Sequence, residues 1–428
     1  MTELDAPRAG GVSPDGVPVQ PASSGEFTLA NLKVSLGCLL GQMFGSSLLP
    51  FGALPLLMLP MTQLFGWSEA AFSGAVTFFM ICGALSGPFL GRYIDRAGAR
   101  RTIMAGTLVV GLVTLGAAAI EGQIWLFYLV YAVIGIAGST ALGYVRIISR
   151  LFERNRGKAL AIFGAEAALA GALVPLIAEA VLSYADWRAV YLVLGVMVLA
   201  TLPVQYLLLT EPQKALPSSS QGEATGDGLS GRETRASVTY WLLVGATLLA
   251  AAPRLGLMVF IVPILTEQGF DTATAAWAIA CITVTAPLGS LLAGIAMDRF
   301  RTPRAIIPFF TVALLATLPF AFLSADFGGL PALAITCLLF GLTFHVHIPM
   351  MSCFHGRYFG LRAFTENYGL AVAILAIGIG LATPVLGIVR SLADSRELLI
   401  GTICALLAVA IVLFCLARPF PQSHAASR

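Results

Sequence analysis

Residues 91–101 read GRYIDRAGARR, a short polar stretch between two long apolar runs. Its glycines, Gly91 and Gly98, permit close backbone approach and tight turning. Asp95 falls where one predicted helix ends, and a carboxylate there can pair with arginines or with the N-terminus of a neighbouring helix. A loop that only fixed topology would need the arginines but neither the aspartate nor the glycines. We therefore expect a latch here, which holds the two halves of the chain together and must break when that side opens.

The composition around this stretch is that of a membrane protein. Of 428 residues, 58% are hydrophobic and 11% are charged, whereas soluble domains carry about 25% charged residues. Such a chain cannot cover a soluble surface with polar groups, so a soluble enzyme, a nucleic-acid binder and a disordered scaffold are excluded. The formal net charge of +3 is too small to indicate a polyanionic partner. The solvent of this protein is therefore mostly lipid.

About twelve apolar runs are long enough to cross a bilayer, which takes roughly 20 residues, and they are too continuous for barrel strands. Segment 211–237, rich in Ser, Gly and charge, is typical of a flexible linker. We predict an all-α membrane protein with six-helix bundles at 29–210 and 238–418, a disordered tail at 1–28 and a second tail at 419–428. The runs lie near 31–59, 70–91, 102–120, 124–148, 158–182, 187–210, 238–265, 273–297, 304–323, 329–352, 364–389 and 397–417.

The basic residues predict the orientation. With both termini in the cytoplasm, 21 of the 25 Lys and Arg residues fall inside, Arg188, Arg390 and Arg396 fall outside, and Arg254 lies within a span. This is the positive-inside distribution. We expect a monomeric, multi-pass protein of a bacterial inner membrane.

The two halves of the chain repeat each other. Gly91-x-x-x-Asp95-Arg96 recurs as Gly294-x-x-x-Asp298-Arg299. Chance matching of common glycines and prolines does not explain an Asp-Arg pair at the same place after both second spans. Six spans separate the copies, so they share one orientation, which is the architecture of rocker-type secondary transporters. Further matching pairs are Pro50 with Pro253, Pro60 with Pro263, Arg150 with Arg357, and Pro175 with Pro384.

Residues 91–101 resemble the G-x-x-x-D-R-x-G-x-R-R signature of the major facilitator superfamily, and with the repeat the resemblance covers nearly the whole chain from residue 31. It implies a transporter, not an enzyme, that works by alternating access without a cofactor. The residues expected to form the latch are Gly91, Asp95, Arg96, Gly98, Arg100 and Arg101, with Asp298 and Arg299 in the second half.

Four shorter segments resemble the bacterial monocarboxylate-transporter-like and oxalate–formate-antiporter-like branch: FGWS at 65–68, RGKA at 156–159, DWR at 186–188 and RYFGLR at 357–362. This implies a small carboxylate as substrate. The eighth and eleventh spans lack the basic residues that oxalate carriers use there, which argues against oxalate itself. Tyr131 stands about where drug–proton antiporters place an arginine, which argues against efflux.

Arg254 lies near the middle of the seventh span, directly after Pro253. An ionisable residue at this depth costs roughly 2.5–3.5 kcal/mol and suggests a function, and an arginine can hold a carboxylate through two hydrogen bonds. Two interpretations stay open: Arg254 anchors an organic anion, or it pairs with Glu166 and steadies the halves. Phe51, the repeat mate of Arg254, is a further candidate for substrate binding.

Glu166 lies in the fifth span, about 190° around the helix from a seam of small residues that includes Gly171. It must face lipid or a cavity, and because lipid is the costlier choice we expect it to line the cavity, as a proton carrier or as the partner of Arg254. The alternative is a residue that reaches the membrane interface. Gln42 and Tyr144 are further candidate polar contacts to the substrate.

His345 and His347 stand about 200° apart on a continuous helix, so we do not expect both to bind one metal or line one cavity. Either can couple transport to protons, although a buried structural histidine is commoner.

The sequence lacks a nucleotide-binding loop, which excludes an ATP-driven pump. The expected function is proton-coupled uptake of a small organic anion, with protons, the substrate and the bilayer as partners and no nucleic acid. The alternatives are proton-driven efflux of amphipathic compounds and a non-transporting sensor.

Overall fold

The computed structural model describes residues 28–45, 52–152, 156–210, 228–300, 302–360, 362–393 and 395–417. Within them, eleven helical segments are long and apolar enough to cross a membrane, and the shorter Leu54–Phe65 is also apolar. The predicted all-α membrane protein of about twelve spans is confirmed. Predicted tail residues 1–27 and 419–428, linker residues 211–227 and the candidate Phe51 lie outside the described residues.

Most helices follow the predicted runs, although the first run contains two helices, the first and second of the chain. In chain order the helices are α1 Leu29–Met43, α2 Leu54–Phe65, α3 Glu69–Ala97, α4 Ala99–Ala117, α5 Ile124–Gly138, α6 Ala141–Leu151, α7 Arg156–Leu182, α8 Trp187–Leu208, α9 Gly231–Ala236, α10 Val238–Glu267, α11 Thr272–Phe300, α12 Ile307–Thr317, α13 Pro319–Phe322, α14 Gly329–Phe344, α15 His347–Phe359, α16 Phe364–Ala393 and α17 Arg396–Leu416. Ser68 and Asp186 cap the N-termini of α3 and α8 through their side chains.

The fourth and tenth spans are each two helices, which hydropathy does not predict. The fourth breaks between α5 and α6, and the tenth breaks between α14 and α15, at corresponding places of the repeat. A serine hydrogen bond joins each break to a neighbouring span: the fourth span to the second, and the tenth span to the eighth. Ser139 donates to the carbonyl of Gly83 (2.9 Å), and Ser290 donates to the carbonyl of His345 (3.1 Å).

Glycines next to these breaks bring helix backbones into contact. A β-carbon on Gly135 would lie 2.2 Å from the carbonyl oxygen of Phe79 on α3, and one on Gly289 would lie 1.6 Å from that of Leu342 on α14. Such separations are far below van der Waals contact, so only glycine fits. Each broken span is therefore packed tightly against one unbroken span of its own half.

The two halves meet along three helix pairs: α3 with α16, α7 with α11, and α2 with α10. Thr77 on α3 donates to the carbonyl of Gly380 on α16 (2.6 Å). Gly171 on α7 faces Thr283 on α11, where a β-carbon would lie 2.7 Å from the threonine side chain. We call the end of the helices that carries Asp95 and Asp298 the motif end, and the opposite end the far end.

Helix α9 lies inside the segment predicted as a flexible linker. Ser230 and Glu233 form a reciprocal capping box at its start, and Arg235 pairs with Glu366 of α16. The backbone N–H of Leu229 also donates to the carbonyl of Phe359 (2.9 Å). Residues 228–237 are therefore folded onto the C-terminal half at the motif end.

Candidate functional site

Arg254 sits in α10, the most enclosed span, and is 2% exposed. Its guanidinium donates to the carbonyls of Thr343 (2.9 Å) and Phe340 (3.0 Å) and to Oγ1 of Thr343 (2.7 Å). It also lies over the ring of Phe340, 4.6 Å from the centroid. The last carbonyls of a helix lack partners within it and carry partial negative charge. Arg254 therefore caps α14 where the tenth span breaks.

No carboxylate of the described residues forms an ion pair with Arg254, and its Nε is buried without a hydrogen-bond partner. The pairing with Glu166 that the sequence left open is not formed in this structure. Among the described residues, the positive charge is met by carbonyl and hydroxyl dipoles at the end of α14 and by the ring of Phe340. A buried charge without a counter-ion is costly. The site therefore lacks a negative charge that would balance the guanidinium.

The two histidines flank the break in the tenth span. His347 begins α15 and is buried, while His345 lies in the break and is half-buried. Their ring centroids are 6.2 Å apart, and both rings are close enough to Arg254 to interact with its charge. The expectation that they point apart was wrong, because it assumed a continuous helix.

A polar network crosses the interior of the N-terminal half. Tyr144 interacts with Thr107, Thr107 donates to Gln205 (3.2 Å), and Gln205 donates to Thr201 (2.9 Å). Gly41 makes room for it, since a β-carbon there would lie 2.5 Å from the hydroxyl of Tyr144. Sequence reasoning found only Tyr144, although Thr201 and Gln205 stand one helical turn apart within an otherwise apolar run.

Glu166 points into this half. It is 8% exposed, its Oε2 is buried without a partner, and it lies within electrostatic range of Tyr144. Of the alternatives that the sequence left open, the structure favours neither exposure to lipid nor the interface, because Glu166 is buried where α6 packs against α7. Gln42 is half-buried in the last turn of α1.

At the motif end, Asp95 and Asp298 do not form the expected ion-pair latch between the halves, because each carboxylate binds an arginine of its own half. Asp95 pairs with Arg146 of α6, and Asp298 pairs with Arg357 of α15 (3.1 Å). The repeat alignment had matched Arg150 with Arg357, whereas the structure gives that position to Arg146. Arg146 follows the fourth-span break as Arg357 follows the tenth, and only the structure shows these breaks.

The other motif residues have separate tasks. Gly98 joins α3 to α4 with φ +89°, a conformation that favours glycine, and Arg100 donates to the carbonyl of Tyr206 on α8 (2.5 Å). A β-carbon on Gly91 would meet open space, so close approach at Gly91 is not observed. Arg96, Arg101 and Arg299 are exposed.

Comparison with curated proteins finds transporters. The chain is 23% identical over 335 residues (68% of this chain and 70% of the relative) to the inner membrane metabolite transport protein YdjE of Escherichia coli. It is 27% identical over 145 residues (33% of this chain and 35% of the relative) to the chloramphenicol resistance protein CraA of Acinetobacter baumannii.

Solved structures share the fold. A bacterial homolog of the human lysosomal transporter Spinster, inward-facing and occupied, matches with TM-score 0.72 and 18% identity, over 93% of this chain and 98% of that one. A D-xylose–proton symporter matches with TM-score 0.69 and 13% identity, over 92% and 98%. The Major Facilitator Superfamily model matches residues 36–382. The chain is therefore a multi-pass membrane transporter, not an enzyme, and belongs to the Major Facilitator Superfamily.

Proposed function

We propose that this transporter carries a small organic anion, a carboxylate, together with protons by alternating access. The observation that supports this most is the buried guanidinium of Arg254, which has no carboxylate counter-ion among the described residues. A bound carboxylate supplies the missing negative charge. The break beside it supports the same site, because the N-terminus of a discontinuous helix favours anions.

Glu166 is the proposed proton carrier. It is a buried carboxyl group with an unpartnered oxygen and no ion pair in the described residues. An isolated carboxylate in such surroundings is stabilised by taking up a proton. His345 and His347 are weaker candidates, because a proton on either would add a second positive charge near Arg254. One buried acid in the N-terminal half and one buried cation in the C-terminal half suit coupled movement of proton and anion.

The substrate class is tested by thermal unfolding of the purified protein with a panel of solutes. The panel contains monocarboxylates, dicarboxylates, D-xylose and nucleosides. We expect a carboxylate to raise the unfolding temperature, Arg254→Gln to abolish that shift, and Arg254→Lys to keep a reduced one. Thr343→Val is the control, since it disturbs the cap of α14 and leaves the charge in place. Equal stabilisation of Arg254→Gln and the parent protein would show that Arg254 does not bind the substrate.

Coupling is tested in vesicles that contain the transporter. With the interior alkaline, the parent protein should accumulate the labelled carboxylate. Glu166→Gln should exchange internal for external substrate but fail to accumulate it against the gradient. Glu179→Gln, on the same helix, is the matched control. Accumulation by Glu166→Gln at the parental level would assign the proton to another group.

Efflux of amphipathic compounds is the second candidate. It is supported by an apolar groove of about 180 Å³ between α1 and α7, lined chiefly by Leu32, Leu36, Leu39, Phe152, Ile162 and Phe163. Altered drug resistance in cells that express the protein, with no response to any carboxylate, would favour efflux. The proposed setting is a bacterial inner membrane with both termini in the cytoplasm, so the motif end faces inward and the far end outward.

A further inference from the structure

Arg390 joins the two halves at the far end. It stands near the end of α16 with its side chain 9% exposed, and its Nε lies 3.0 Å from Oε2 of Glu69 at the start of α3. Its Nη2 binds Glu267 at the end of α10. One arginine thus holds two carboxylates, one on each half of the transporter.

The two partners differ in how they move relative to Arg390. Helices α10 and α16 belong to the same half and pack tightly, since a β-carbon on Gly256 would lie 2.9 Å from the side chain of Leu386. Glu267 therefore travels with Arg390. Glu69 belongs to the other half, and the Glu69–Arg390 bond must break when the halves separate at the far end.

The helices beside the bond are already in backbone contact. A β-carbon on Gly387, one turn before Arg390, would lie 2.7 Å from Cα of Ala70. Further along the same seam, Thr77 donates to Gly380. The far end of this seam is thus closed, while the motif-end carboxylates Asp95 and Asp298 are paired within their own halves.

We propose that Arg390 is the far-end gating residue of the transport cycle and that Glu69 and Glu267 have opposite effects on it. Glu69 stabilises the closed far end. Glu267 keeps the guanidinium paired after Glu69 leaves, because a largely buried arginine without a carboxylate is costly, and so stabilises the open far end. The inference needs only the rocking of the two halves and does not depend on the substrate.

The test is a distance measurement across the far end. Spin labels at Glu121→Cys, in the loop after α4, and Asp326→Cys, in the loop before α14, report the separation of the halves by pulsed electron resonance. Both residues are exposed, and the exposed Cys415 is replaced by serine in the background. We expect Glu69→Gln to raise the far-end-open population at least threefold and Glu267→Gln to lower it at least threefold.

Arg396→Gln is the matched control, because Arg396 lies at the same end and pairs with Glu397 within its own helix; its distance distribution should equal that of the parent. An unchanged distribution in Glu69→Gln would overturn the gate, and equal shifts in Glu69→Gln and Glu267→Gln would overturn the opposed roles. Unfolding temperatures establish that each variant is folded. Glu69→Asp and Glu267→Asp, which keep the charge at a shorter reach, should show the same opposed shifts to a smaller degree.

Discussion

Arg254 and Thr343 are joined twice, through the carbonyl oxygen at 2.9 Å and through Oγ1 at 2.7 Å, across the point where the tenth span breaks. Thr343 in turn donates to the carbonyl of Phe340 (3.0 Å). The guanidinium of α10 thus binds the C-terminus of α14 at the break in the tenth span.

Removing Arg254 should destabilise the protein even without substrate. Hydrogen bonds to charged groups contribute about 1.5–3 kcal/mol each, so Arg254→Met should lower the free energy of unfolding by about 3 kcal/mol or more. Thr343→Val should cost about 1 kcal/mol, because the carbonyl contacts remain. Chemical unfolding in a mild detergent measures both. Equal costs for the two variants would contradict the cap.

The polar network of the N-terminal half should behave as one unit. Gln205→Leu leaves Thr107 and Thr201 buried without their partner and should cost about 1–3 kcal/mol. A double-mutant cycle with Thr107→Val should give a coupling energy of about 0.5–3 kcal/mol. Additive costs would indicate that the 3.2 Å contact contributes nothing to stability.

Asp95 should matter for transport more than for stability. Its side chain is 71% exposed, and exposed ion pairs contribute about 0–1 kcal/mol. The free energy of unfolding of Asp95→Asn should therefore lie within about 0.5 kcal/mol of that of the parent protein. Transport by the variant should be slower. Asp298→Asn, in the repeat mate, is the comparison. A large loss of stability in either variant would point to a structural pair instead.

The close approach of α3 and α16 predicts opposite effects for two glycines of one helix. Gly387→Ala places a methyl group against the backbone of Ala70 and should cost about 1–3 kcal/mol. Gly369→Ala meets open space and should be neutral or stabilising by up to about 1 kcal/mol through helix propensity. Chemical unfolding of the two variants beside the parent protein measures the sign of each change in the free energy of unfolding. Destabilisation by both would implicate glycine flexibility.

The helical fold of α9 should weaken in acid. Hydrogen bonds from Ser230 hold the pKa of the Glu233 carboxyl below its ordinary value, so the contribution of the ionised form is present at neutral pH. It is lost as the pH falls through this lowered pKa, below the ordinary value of about 4.3. Hydrogen exchange of residues 231–236, corrected for intrinsic rates, should rise there. Ser230→Ala should raise exchange at neutral pH, and a profile insensitive to both changes would contradict the capping box.

The spans could be predicted because each is an apolar run of about 20 residues, and the repeat could be predicted because Gly91, Asp95 and Arg96 recur as Gly294, Asp298 and Arg299. The breaks could not, because hydropathy is the same for one helix of 31 residues and for two helices that cover 329–359. The partners of Arg254 are main-chain carbonyls, which have no signature in a sequence. The orientation of Glu166 depends on how α6 packs beside α7, which a single helical wheel does not contain.

Two features were not predicted, for different reasons. Ser230 and Glu233 have the spacing of a capping box, but the composition of the surrounding segment is typical of a flexible linker. Arg146 is the repeat mate of Arg357, and this correspondence follows only from the breaks and ion pairs that the structure shows.

The ion pairs of Asp95 with Arg146 and of Asp298 with Arg357 each lie within one half at the motif end. Helix α9 also makes its ion pair within the C-terminal half. A chain divided between residues 210 and 228 therefore separates into two polypeptides without splitting any of these bonds. When the two pieces are expressed together, they should reassemble into one carrier. Halves taken from related carriers should likewise combine into a folded protein.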